Sequence, residues 1–159
     1  MNLRLAIDTL TQHRVRFVVV GGVAVVAHGA ALMTRDLDIL YSLEPDNVGR
    51  LVEAFRVLGA VAHGDPRRLP FRLDHLSTTG HHLADTRAGR IDALGAIGKN
   101  ADIFYETVVE ASVEMEAFGT RFLCSSIEDL IAIKEELGRP RDLLAVQELR
   151  AILKLRSKR

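Results

Sequence analysis

The chain has 159 residues, 48% apolar and 26% charged, the size and composition of one folded globular unit rather than a disordered segment. Its 21 basic and 21 acidic residues cancel, so bulk charge does not mark it as a coat for nucleic acid. The single cysteine, Cys124, excludes an internal disulfide and reads as a small buried side chain.

The charge is unevenly placed. From Lys134 to Arg159 there are eight Lys or Arg and four Asp or Glu, leaving thirteen basic against seventeen acidic in the first 133 residues. A basic tail behind an acidic body suits a polyanionic ligand. The start, Met1–Asp8, carries scattered charges and no signal-peptide pattern. No apolar run nears the ~20 residues that span a bilayer, so a cytoplasmic location is expected.

In chain order, Leu3, Ile7 and Leu10 predict an amphipathic helix over 2–13. Phe17–Val20 is a short β-branched run ended by Gly21-Gly22, a buried strand stopping at a tight turn. Val23–His28 reads as the first turns of a helix, and Asp36–Tyr41 as a second strand. Pro45 and Asp46 open a helix that runs to Leu58, with Gly59 as its stop. The stretch 63–90, rich in Gly and Pro, reads as loop and hairpin, followed by a short strand over 90–94. Alternation over 108–117, then Gly119 and 121–124, predicts a β-hairpin. Ser126 with Asp129 predicts a capped helix to Leu137; Gly138 and Pro140 break it, and a last helix runs from Asp142 to about Leu155.

The chemistry gathers at three points. Asp36 and Asp38 lie two apart on a strand, so both leave one face with Cα atoms about 6.5–7 Å apart. Paired carboxylates repel, and a divalent cation with oxygen ligands, Mg²⁺, relieves them. An edge strand with one wet face is the other reading, and spacing alone does not choose between them. Gly21-Gly22 after a strand lets backbone N–H groups approach a phosphate. It is neither a Gly-x-x-x-x-Gly-Lys-Ser/Thr nor a Gly-x-Gly-x-x-Gly loop, which disfavours P-loop and dinucleotide-binding readings. Asp92, in Gly89-Arg-Ile-Asp92, is a third carboxylate in an apolar strand; beside the first two it would complete a site for one or two Mg²⁺. His75, His81 and His82 fall in the irregular stretch with no cysteine nearby, which speaks against zinc. The Arg68-x₆-His75 spacing is interrupted by Pro70, and no helical ribonuclease motif is read there. His28 reads as packing or as a surface residue near the glycine turn.

Val-Val-Gly21-Gly22, then Thr34-Arg35-Asp36-Leu-Asp38-Ile, then Gly-Arg-Ile-Asp92, resembles the minimal nucleotidyltransferases of the DNA polymerase β-like superfamily. The order is most like that of stand-alone bacterial and archaeal members related to AbiEii-type toxins. The run Ser126–Lys134 and Gly-Arg-Pro-Arg-Asp142 resembles the same family's closing helices, so the likeness covers 16–153. It implies an α/β (α+β) fold: a mixed, mostly antiparallel sheet flanked by helices, closed by a C-terminal helical pair. One nucleotidyltransferase domain over 1–159 is expected, with core 15–124 and C-terminal helices 126–156.

The resemblance also implies roles. Gly21 and Gly22 would hold nucleotide phosphates, with Thr34 and Arg35 flanking them. Asp36, Asp38 and Asp92 would bind Mg²⁺ (or Mn²⁺), with Asp92 alternatively the general base. Lys134 would neutralise the triphosphate, oriented by Asp142. Gly22 departs from the many active members that carry serine there. The implied reaction passes a nucleoside monophosphate from an NTP such as ATP to a hydroxyl, releasing pyrophosphate. For so small a chain the acceptor is expected to be macromolecular, an RNA (tRNA) 3′ end or a protein side chain, within a toxin–antitoxin pair. A small molecule such as an aminoglycoside is the lesser expectation. The rival reading is a catalytically inactive nucleotide-binding or interaction domain of the same fold.

Overall fold

The computed structural model describes residues 1–158. In chain order the elements are α1 (Leu3–Gln12), β1 (Phe17–Val20), α2 (Gly21–Ala27), β2 (Asp36–Tyr41), α3 (Pro45–Leu58), β3 (Val61–Ala62) and α4 (Leu73–Leu76). They continue with β4 (His81–Thr86), β5 (Gly89–Leu94), α5 (Tyr105–Ala111), β6 (Val113–Ala117), β7 (Thr120–Cys124), α6 (Ile127–Leu137) and α7 (Pro140–Arg156). The strands form one seven-stranded sheet in the order β3-β4-β5-β2-β1-β7-β6. Two neighbouring pairs, β2 with β5 and β1 with β7, run parallel; the others are antiparallel. The mixed, mostly antiparallel sheet that the resemblance implies is therefore present.

Alternation along the strands gives the sheet two unlike faces. Phe17, Val19, Leu37, Ile39, Tyr41, Ile91 and Ala93 point to one face and form the main core with Ile7, Leu10, Leu51, Phe55 and Leu58 of α1 and α3. Val18, Val20, Leu40 and Leu94 point to the other, where Ile97 and Val108 of the segment around α5 cover only part of it. The uncovered part of that second face carries the charged residues of β2 and β5. Helix α6 bridges the two clusters, with Ile127 and Leu130 in the first and Ile133 against the second.

Several elements depart from the sequence reading. The first half of 108–117 belongs to helix α5; Val108 is buried against the second cluster, and the strand begins only at Val113. Pro140 opens α7 rather than ending the chain's helical run, because a proline in the first turn loses no intrahelical bond. The break is Gly138 alone, in the left-handed region at φ +62°. Helix α2 starts at the two glycines themselves. Within 63–90, His81 and His82 lie on β4, paired with β5, and not in a loop. Ser126 caps α6 as read, its side chain accepting from the Asp129 N–H at 3.1 Å. Cys124 is fully buried, and burial pushes its thiol up to about 12. No helix among the described residues is long and apolar enough to cross a membrane.

One buried polar side chain ties α3 to the sheet. Asn47 is fully buried; it accepts from the Arg16 N–H at 2.7 Å and donates to the carbonyls of Arg16 at 3.1 Å and Ser42 at 2.8 Å. These groups flank β1 and β2; the Arg16 carbonyl also accepts from the Ser42 N–H at 3.2 Å, while Asn47 holds the Arg16 N–H and the Ser42 carbonyl. Asn47→Ala leaves the Arg16 N–H and the Ser42 carbonyl without these partners, a cost of about 2 kcal/mol. The expected thermal midpoint falls by roughly 5 °C; an unchanged melt would contradict this assignment.

Candidate active site

The register of the sheet lays the functional residues out in rows. Val20 stands opposite Asp38, Asp38 opposite Asp92, and Asp92 opposite Leu83, one row across four strands. One step along, Asp36 stands opposite Arg90 and Arg90 opposite Asp85. Adjacent strands are about 4.8 Å apart, so Asp38 and Asp92 are closer to one another than Asp36 and Asp38 are along their own strand. All these side chains share the partly uncovered face.

Their electrostatics follow from that crowding. Burial, then the charges of Asp36 and Asp92, pushes the Asp38 carboxyl up to about 6. The Gly22 N–H, donating to its Oδ2 at 3.4 Å, and the positive charge of Lys134 oppose the rise. Asp92 is 8% exposed; burial raises it too, partly offset by Arg90. The Arg90 guanidinium pairs with Asp36 and lies 3.3 Å from Asp92 Oδ1 without hydrogen-bond geometry, leaving that oxygen buried and unpartnered among the described residues.

The glycine turn is fitted to these groups. Gly21 has φ +64°, and a Cβ there would lie 2.0 Å from Asp38 Oδ2. A side chain at position 21 would thus displace the carboxylate as well as strain the backbone. At Gly22 a Cβ would meet the Thr34 hydroxyl at 2.7 Å, and that hydroxyl donates to the Asp36 carbonyl at 3.1 Å. The space that a side chain at 22 would fill is already taken by Thr34.

The opposite wall is cationic and comes from the last two helices. Asp142, 2% exposed, accepts from Lys134 Nζ at 3.2 Å and from Arg139. Burial alone would raise its carboxyl, but Arg139 and Lys134 outweigh it and hold it below the usual range. Lys134 is therefore fixed by a buried carboxylate while its charge is felt at Asp38.

Between these walls lies a cleft of about 1020 Å³. All nine residues singled out in the sequence (Gly21, Gly22, Thr34, Arg35, Asp36, Asp38, Asp92, Lys134, Asp142) line it. Sequence reasoning missed Arg90, Arg139 and Arg141, and also His63, His81, Leu83 and Asp85 at the far end. Arg90 was readable from alternation, two residues before Asp92; the β4 residues were not, because β4 was read as irregular. His63 Nδ1 pairs with Asp85 at 2.9 Å. His28 is buried, with Nε2 bonded to the Ser125 carbonyl at 2.8 Å, and belongs to packing.

The donor chemistry fits a hard divalent cation. Carboxylate oxygens on two rigid strands, one with a buried oxygen lacking a partner, suit Mg²⁺, which is usually held by one or two carboxylates plus substrate phosphates. Among the described residues no group of three His, Cys, Asp or Glu side chains is arranged to hold an ion alone. The three carboxylates share a face, but Arg90 lies among them, so their convergence is looser than the sequence suggested.

The raised Asp38 carboxyl makes stability depend on pH in a definite direction. With a folded pKa of about 6 against an ordinary 3.8, folding takes up a proton, so the contribution favours acid and is lost as pH rises through 6. Ionised Asp38 then costs on the order of 2 kcal/mol. In chelator, D38N is expected to melt roughly 5 °C above wild type near pH 8 and level with it near pH 4. Equal melting at both values would refute the crowding.

By sequence, the chain matches no protein-family profile and no curated protein. By structure it is similar to the lincosamide antibiotic adenylyltransferase LnuA in its lincomycin-bound form, with TM-score 0.64 and 15% identity over 95% of this chain and 96% of that one. The antibiotic-resistance factor ANT(2″)-Ia superposes with TM-score 0.57 and 15% identity over 99% and 90% of the two chains. A Thermotoga maritima protein assigned as a nucleotidyltransferase gives 0.54 and 16% over 99% and 91%. The chain has the nucleotidyltransferase fold.

Proposed function

We propose that the protein is a nucleotidyltransferase that passes a nucleoside monophosphate, from ATP in the first instance, to a hydroxyl of a small-molecule acceptor. The observation that carries this reading is the row Val20–Asp38–Asp92, with the Gly21-Gly22 turn closed onto Asp38 and a cationic wall facing it. LnuA and ANT(2″)-Ia, named for antibiotics, match this chain over nine-tenths or more of both lengths. A chain of this size therefore suffices for a small acceptor, which removes the argument from size for a macromolecular one. The cleft is at the upper end of single-ligand pockets, room for a nucleotide and a second compound.

The roles follow the geometry. Gly21 and Gly22 keep side chains away from the nucleotide side of Asp38, so phosphates can reach the backbone. Thr34 offers the hydroxyl that Gly22 lacks, and Arg35 lies on the rim. Lys134, held by Asp142, and Arg141 face the triphosphate. A divalent cation on Asp36 and Asp38, with Asp92 on the acceptor side, supplies neutralisation of the triphosphate when bound. Asp92, with its raised proton affinity, takes the proton from the acceptor hydroxyl. The acceptor oxygen bonds to the α-phosphorus in line as the bond to the bridging oxygen breaks, and pyrophosphate leaves with the electron pair. Positioning and electrostatics supply most of the rate.

A second reading keeps the same chemistry with a macromolecular acceptor, a tRNA end or partner-protein hydroxyl in a toxin–antitoxin pair. The AbiEii-like order of motifs and the basic segment after Lys134 favour it. One assay separates the readings: ATP labelled at the α-phosphate, with Mg²⁺ and, in parallel, hydroxylated antibiotics including lincomycin, total tRNA, or co-purified protein. Label in the small-molecule fraction is expected, and label confined to tRNA or protein selects the second reading. D92N is expected to lose about 10²–10⁴-fold in kcat with ATP binding retained. If no NTP or Mg²⁺ shifts the melting temperature and wild type labels no acceptor above the D38N background, the enzyme reading falls and an inactive domain remains.

A further inference from the structure

Among the described residues, Arg90 is the cation that stands within the carboxylate group itself. It lies on β5, opposite Asp36 across the parallel ladder and two residues before Asp92 on the same face. Its guanidinium pairs with Asp36 and places Nε 3.3 Å from Asp92 Oδ1, so one planar cation spans the diagonal between them. Among the described residues Asp38 has no ion-pair partner; it accepts from the Gly22 N–H at 3.4 Å. The arrangement is asymmetric: Asp36 is paired with the guanidinium, Asp92 lies beside it without a hydrogen bond, and Asp38 is left open to the cleft.

We propose that Arg90 is a built-in second cation, so the site takes a single divalent ion, on Asp38 with Asp36, and the guanidinium stands where a second ion would bridge Asp36 and Asp92. The proposal rests on the nucleotidyltransferase reading and sharpens it. Two-ion sites of phosphoryl-transfer chemistry place their metals about 3.5–4 Å apart between shared carboxylates, which is the ground Arg90 covers. One guanidinium and one divalent ion together cancel the three carboxylates. A guanidinium stays charged throughout the accessible pH range and offers its donors in a fixed plane, so it can serve this part permanently. As a mere structural ion pair it would contribute little, because its side chain is 37% exposed. Arg90 is then a positioning residue, holding Asp92 towards the acceptor and Asp36 towards the ion.

The test counts ions and does not depend on turnover. The full chain is saturated with a non-hydrolysable ATP analogue and titrated with Mn²⁺, free ion being read by electron paramagnetic resonance. Wild type and R90K are expected to bind one ion per chain, and R90Q two, since it frees Asp36 and Asp92. Two ions in wild type, or in R90K, overturn the proposal while leaving the nucleotidyltransferase reading intact. Equal counts in wild type and a folded R90Q also overturn it. No ion bound to wild type with analogue present overturns the metal reading and this inference with it. Should R90Q fail to fold, the wild-type and R90K counts decide alone.

Discussion

The parallel pairing of β2 with β5 is the constraint on which the site depends. It sets Asp38 beside Asp92 and Asp36 beside Arg90, and no local segment of chain could do so. Three carboxylates on one face would drive these strands apart in isolation. They stay together because the opposite face of the same strands is Leu37, Ile39, Ile91 and Ala93, all fully buried in the main core. Apolar burial on one side of the pleat stabilises electrostatic crowding on the other. The raised Asp38 carboxyl is the trace of that opposition.

The C-terminal helices complete the arrangement from outside the sheet. Gly138 turns the chain in its left-handed conformation, and α7 returns along α6 so that Asp142 meets Lys134. A buried carboxylate between two cations is a costly feature when solvation is lost, and is tolerated only because both partners are hydrogen-bonded to it. Its geometric effect is that a long, flexible lysine is held in one place facing the acidic wall. The cleft thus has an acidic floor and a cationic wall, each positioned by buried groups.

Much of this was legible in the sequence because it is written in short-range patterns. The β-branched Phe17–Val20 run before two glycines, the alternation at Asp36 and Asp38, and Ser126 as a cap each report a local physical preference. The nine residues named from motifs all line one cleft. What escaped depends on tertiary contacts. Val109, Ala111, Val113 and Met115 alternate as a strand would, yet the segment is helical to Ala111, where the helix places Val108 in the buried cluster with Val18 and Leu40. A hairpin is expected within 63–90, but its strand bounds and its register with β5 are not legible among glycines and prolines, so the His63–Asp85 end of the cleft could not be placed. Arg90 is different: the period of two already placed it with Asp92, but its approach to Asp36 needs the register between strands far apart in sequence.

That register carries a kinetic consequence. Asp36 and Arg90 are 54 positions apart, and the buried contact of Ala24 with Cys124 closes a loop of 100. Parallel neighbours joined through such long crossovers close their loops before contacts repay the lost entropy, which slows folding. The acidic floor therefore does not exist in any partly folded chain that has formed only its hairpins, β4 with β5 and β6 with β7. Helices and hairpins need only short loops to close, whereas the row of carboxylates needs the long ones, so the appearance of that acidic floor reports that the central strands have paired.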